Sequence, residues 1–363
     1  MNKYIFLAKI YQFSKIFVKN SSLHTILEFF WVFVGFYFTL LGLKENFMEN
    51  NATIQNLLQA LEHKYSQTGQ NLAANLEGLL HLDYLKYWDY IHVDTLLTLQ
   101  KPKTRFPDEM VFIIYHQITE LYFKLTLWEI EQIAAWQEIP TGEFLEKVQR
   151  IVRYIKALCN SFDIMSVGMQ PEQFKKFRMA LLPASGFQSA QFRLIEIAST
   201  DFVNLLSADF RAQITPNTTT AEMYEHIYWK RGATEAETGK KTITLQHFEE
   251  KYSTTFLEWA YKFRDKNLYQ QFKKISPQDE MFEPIREALR EMDYWFNVEW
   301  ALAHLKSAVK YLREKGKPID ATGGTNWTKY LPPNFQKIIF FPSLWNETEK
   351  NEWGRKKVEE MLG

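Results

Sequence analysis

The residue in this chain best suited to hold a small acid is an arginine on the aromatic side of a helix. In FKKFRMALLPASGFQSAQFRLIE, residues 174–196, Phe174, Arg178 and Leu181 fall at i, i+4 and i+7 and share one helical face. A guanidinium among Phe, Leu and Met side chains is costly to desolvate unless an anion meets it. Its planar fork suits a carboxylate held by two parallel hydrogen bonds. Pro183, Ala184, Ser185 and Gly186 then end the helix and let backbone approach whatever the arginine holds. The ligand implied is a small amphipathic acid. The competing reading is a partly exposed arginine paired with a nearby glutamate.

A second segment, FPDEMVFIIYHQITELYFKLTLWEIEQ, residues 106–132, places Phe112 and His116 at i, i+4, and Glu120, Phe123 and Trp128 continue the helix. Asp108 and Glu109 favour the helix start through the macrodipole. Flanked by Phe112, Ile113 and Tyr115, His116 reads either as a ligand-orienting imidazole or as a satisfied core histidine.

Taken together, HQITELYFKL at residues 116–125 and FRMALLPASGFQSAQFRLIE at 177–196 resemble the tryptophan 2,3-dioxygenase family. The likeness runs from about residue 50 to about 350 in the family's order. It implies an all-α fold, a single large helical domain with a heme pocket between helices. It also implies heme b, ferrous in the active state, with L-tryptophan and O2 as substrates. The reaction implied opens the indole ring to N-formyl-L-kynurenine, the first step of tryptophan catabolism by the kynurenine pathway. The family's iron ligand follows a Trp by four residues and precedes a TGG loop. Trp300, His304 and Thr322-Gly323-Gly324 stand in that order, so the resemblance makes His304 the metal ligand. Of the eight histidines, His63, His81, His92, His226 and His247 lie among polar or charged residues and read as surface.

The remaining roles come from the same resemblance. His116 hydrogen-bonds the indole N–H, Phe112 packs against it, and Phe174 and Leu181 favour an apolar ring. Arg178 holds the substrate carboxylate, Thr322 meets the ammonium, and Ser185 and Gly186 line the pocket near the porphyrin. Tyr87 and Tyr90 match an element that reaches a neighbouring subunit's pocket in a homotetramer. Two alternatives stay open: a related histidine-ligated heme enzyme for another aromatic amino acid, and a non-enzymatic heme-binding protein. The pairing of Arg178 with His116 speaks against the second.

Some positions depart from the family pattern. Ala301, Leu302 and Ala303 stand where arginines are usual between the Trp and the His, leaving Lys306 and Arg313 as cations for the porphyrin propionates. The connection from His304 to Thr322, containing EKGKPID, is longer than usual, and Pro107 replaces the family's usual His before the Asp-Glu pair.

The elements that must position these residues are helical throughout. Periodicity predicts helices over 54–65, 87–100, 108–136, 142–162 and 171–181, one from Ser185 past Leu205, and a long late one over 284–315. Gly and Pro number only 14 and 12 while aromatics reach 16%, which suits a helical protein with a wide core.

Forty-three basic residues balance 43 acidic ones, so nothing points to nucleic acid. The single cysteine, Cys159, rules out an internal disulfide framework and suits a reducing cytoplasm. Residues 1–47 stand apart as a leader, and 48–363 are expected to form the helical dioxygenase domain. Within the leader, Leu23 to Leu43 give about 21 largely apolar residues, long enough to span a bilayer. The leader reads as a dispensable extension, with a membrane anchor as the alternative, and membrane contact is expected only if that anchor is real.

Overall fold

Twenty-eight residues, Asp108–Ala135, form one helix that carries both a buried face and a ligand-facing row. It belongs to a computed structural model that describes residues 51–82, 86–181, 186–234, 239–314, 317–318 and 331–362. The chain divides into two compact units, Met1–Val93 and Asp94–Gly363. Residues 1–47, and with them the apolar run 23–43, lie outside the described residues. Among the described residues no helix is long and apolar enough to cross a membrane.

In the first unit, residues 51–67 are helical and Leu72–Leu80 comes next, its start capped by the Asn71 side chain, which accepts from the Ala74 N–H. The expected 87–100 helix, whose range crosses from the first unit into the second, is instead two single turns, Tyr87–Tyr90 and Val93–Leu96. His92 between them adopts φ 52, which an α-helix cannot accommodate.

Among its described residues the second unit is all-α, as expected, apart from a two-residue antiparallel pairing of Arg313–Glu314 with Lys317–Pro318 and two isolated bridges, Leu206 with Ile227 and Thr234 with Lys241. Thr141–Ser161 buries Phe144, Val148, Ile151, Val152, Ile155 and Leu158, a stripe at helical spacing. That stripe packs on Asp108–Ala135 on one side and on Phe282–Tyr294 on the other. Each such side chain contributes about 1.5–3 kcal/mol by leaving water. Ala190–Ser199 and Ile243–Phe263 close the layer beyond Asp108–Ala135.

Two helices differ from expectation, one ended early by tertiary contacts and one altered within by its backbone pairing. The helix expected from Ser185 past Leu205 ends at Ser199, where Thr200 turns extended (φ −141, ψ 170). Thr200 Oγ1 donates to the Phe340 carbonyl, and Asp201 accepts from Asn267, Gln270 and Lys273, so both residues are drawn out of the helix. The late helix runs without interruption from Phe282 to Tyr311, but Trp295–Glu299 within it is π-helical. A π segment inserts an extra residue and rotates the downstream turns, a device common beside functional sites. Here it sets the direction of Trp300 and His304. Gly354 (φ +76) presses against this segment: a Cβ there would lie 2.8 Å from Val298 Cγ1.

Candidate active site

Between Asp108–Ala135, Pro171–Arg178 and Trp300–Tyr311 lies a cavity of about 550 Å3, within the size range of cofactor pockets. Phe112, His116, Phe174, Leu181, Trp300 and His304 all line it. Two histidines distant in sequence therefore face one space, walled by aromatic rings.

Both imidazoles are held alike. His116 Nδ1 lies 2.7 Å from the Phe112 carbonyl oxygen, and His304 Nδ1 lies 2.8 Å from that of Trp300. A carbonyl only accepts, so Nδ1 carries the proton in each ring, and Nε2 of the neutral tautomer keeps a lone pair. Burial lowers the pKa of His304 to about 4, and the neighbouring His116 adds to the effect. Enclosure by protein also lowers the pKa of His116, although its ring is accessible through the cavity it faces. Both rings are neutral near pH 7. The Phe112 ring packs on His116 at 4.1 Å, while Phe162 and Trp300 brace His304 at 4.7 and 4.5 Å.

The surroundings of His304 suit a flat macrocycle. Ala301, Ser307 and Ala308 line the cavity on either side of it along the same helix, leaving room that larger side chains would fill. A rigidly held neutral imidazole with a free Nε2, beside small residues and an apolar cavity, is what a heme requires of its protein ligand. The donor set fits the group.

The other expected site residues are more scattered. Arg178 is 8% exposed at the end of Pro171–Arg178, one turn from Phe174, but is not among the residues lining the cavity. Gly186 begins a short 3-10 turn, while Ser185 and Thr322 lie outside the described residues. Tyr87 and Tyr90 belong to the first unit and are 72% and 71% exposed. His63, His81, His92, His226 and His247 are exposed, as expected. Lys306 is not a cavity residue: it is exposed and its Nζ pairs with Asp163 at 2.8 Å.

Sequence reasoning missed two features. Phe162, which packs on His304, carries no motif. Arg193 and Glu196 form a buried ion pair at 2.7 Å, and Arg193 lines the cavity. The available signal was a pair of opposite charges at i, i+3 inside the otherwise apolar run Phe192 to Ala198.

Fold and cavity together define an all-helical protein with an aromatic-walled pocket that presents two neutral imidazoles. The chain belongs to the tryptophan 2,3-dioxygenase family, whose model matches residues 78–298, more than half of its length. That match ends just before Trp300 and His304. The chain's relatives include proteins named tryptophan 2,3-dioxygenase. The one from Polaromonas naphthalenivorans (strain CJ2) is 27% identical over 271 residues, covering 72% of this chain and 90% of the relative. That from Herpetosiphon aurantiacus is 29% identical over 273 residues, covering 72% and 96%. A third, from Bacillus thuringiensis subsp. konkukian, is 28% identical over 297 residues, covering 77% and 99%.

Proposed function

We propose that this chain is a heme-dependent dioxygenase that opens the indole ring of L-tryptophan with O2 to give N-formyl-L-kynurenine. One observation carries the reading: His116 and His304 line a common cavity, each with Nδ1 tied to its own helix and Nε2 left as an acceptor. Bound through His304, heme b would supply the O2 chemistry.

The chain's own residues supply binding and orientation. His116 Nε2 accepts the indole N–H and fixes the ring's rotation, and Phe112 backs the imidazole. Phe174 and Leu181 give the ring an apolar floor and displace water. Arg178 takes the substrate carboxylate and Thr322 the ammonium. Trp300 holds His304 in the tautomer that can coordinate a metal. Ser185 and Gly186 border the cofactor.

The assembled form is a homotetramer in which Tyr87 and Tyr90 serve a neighbouring subunit's pocket. Supporting this, Met110, Ile114, Ile118, Leu121, Leu125 and Trp128 form an exposed row along Asp108–Ala135, with spacings of three and four residues. Such a row is the pattern of a helix that packs on another protein surface. The single cysteine suits the cytoplasm.

The test is to reduce the purified heme-loaded protein anaerobically, add L-tryptophan, and then admit O2. Formation of an N-formylated aniline ketone, seen by absorbance and mass, is the expected result. Uptake of a single oxygen atom into tryptophan, or no turnover with intact heme, would reject the reading.

A further inference from the structure

A buried cation stands ready in the cavity wall. Among the described residues Arg193 is the one lysine or arginine that lines the cavity. Its Nη1 donates to Glu196 Oε2 at 2.7 Å and to the Tyr228 hydroxyl at 2.8 Å, and its Nε donates to the Phe187 carbonyl at 3.3 Å. Tyr228 in turn donates to Glu196 Oε1 at 2.5 Å. The guanidinium also lies over the Phe192, Tyr228 and Trp229 rings, at 5.0, 5.7 and 5.7 Å. These contacts account for Nε and both hydrogens of Nη1. No described residue takes Nη2.

An arginine clamped in this way loses little freedom on meeting an anion, because its geometry is already set. Two carboxylate sources would share this cavity on the proposed reading: the porphyrin propionates and the amino acid. The segment between Trp300 and His304 has no cation to offer either, and Lys306 is committed to Asp163 outside the cavity. We propose that Arg193 is a carboxylate-binding residue of this cavity, with Glu196 and Tyr228 as its positioning residues. The inference rests on the heme and tryptophan assignment above, and its test separates the two.

In one arm, the full chain freed of heme is titrated with heme and with iron protoporphyrin dimethyl ester, whose propionates are neutral. In the other, calorimetry compares L-tryptophan with tryptamine, which lacks the carboxylate, on the protein as purified. Arg193→Gln is expected to weaken binding of the acid by about tenfold or more in one arm and to leave the neutral analogue unchanged. The arm that responds names the source, propionate or amino acid. Arg193→Lys keeps the buried charge beside Glu196 and serves where the Gln variant does not fold; its acid preference is expected to fall at least several-fold as the fork is lost. Acid-to-neutral ratios equal to wild type in both arms, in whichever variant folds, overturn the proposal. So does equal weakening of acid and neutral forms, which marks a purely structural role. Failure of the wild type to bind heme at all sinks the cofactor assignment instead, and the tryptophan arm still reads Arg193.

Discussion

His116 and His304 repeat one hydrogen-bonding arrangement on two helices: each Nδ1 sits on the carbonyl four residues earlier in its own helix, at 2.7 and 2.8 Å. Neither ring therefore spends a tertiary contact on its tautomer. Both Nε2 atoms stay available to what enters the cavity, and a proton on one ring opposes a proton on the other.

That relationship predicts a pH signature in heme-free protein. Burial moves the His304 pKa from 6.5 down to about 4, so the folded chain binds this proton less readily than the unfolded chain does. The residue's share of stability is complete above pH 6.5 and is lost as the pH falls toward 4, on the order of 3 kcal/mol. Thermal melts of His304→Phe are expected to show a shallower decline across that window than wild type. The same variant is expected to lose the Soret band of bound heme; a band of normal intensity would assign the iron to another ligand.

Arg178 is expected to act on affinity. Arg178→Ala should raise KM for L-tryptophan by an amount equivalent to about 2–5 kcal/mol, the cost of breaking a buried charged hydrogen bond. KM for tryptamine is expected to change little. If KM for L-tryptophan stays at its wild-type value, Arg178 has no part in carboxylate binding.

How much of this was legible in the sequence depends on which forces set each feature. Asp108–Ala135 and Thr141–Ser161 could be read from periodicity, because one face of each is buried and a 3.6-residue repeat records that. The break at Thr200 could not, since its partner Phe340 is 140 residues away. Nor could the π segment, which differs from an α-helix only in how backbone pairs. Bringing His116 and His304 to one cavity came from family likeness alone, because no local pattern encodes a contact between distant helices. Arg193 hid inside a motif read only for resemblance, and its partner Tyr228 lies 35 residues on.

The exposed row on Asp108–Ala135 predicts that assembly depends on it. Leu121 and Leu125 are 50% and 44% exposed near the middle of the row, where lysines leave an isolated subunit undisturbed. Leu121→Lys combined with Leu125→Lys is expected to leave helicity intact and to shift sedimentation toward a smaller species. A wild-type chain that already sediments as a monomer at micromolar concentration would remove the homotetramer reading.

Asp293, two residues before the π segment, ties that segment to residues 340–345. Fully buried, it accepts from the Phe340 and Phe341 N–H groups at 2.9 and 3.0 Å, from Trp345 Nε1 at 2.9 Å and from Asn297 Nδ2 at 2.8 Å. Ile338, just before the segment it pins, lines the cavity. In Asp293→Asn an amide NH2 replaces an acceptor among four donors, so destabilisation of about 1–3 kcal/mol is expected for each donor left unpaired. Burial raises the Asp293 pKa from 3.8 to about 6, outweighing those four bonds. With the folded value raised, the stability this carboxyl contributes is full below pH 3.8 and lost as pH climbs through about 6. The melting-temperature gap between wild type and Asp293→Asn is therefore expected to narrow from about pH 4 to about pH 7. A gap that widens over that range would mean the four donors hold the group ionised, and that burial is the weaker influence at this position.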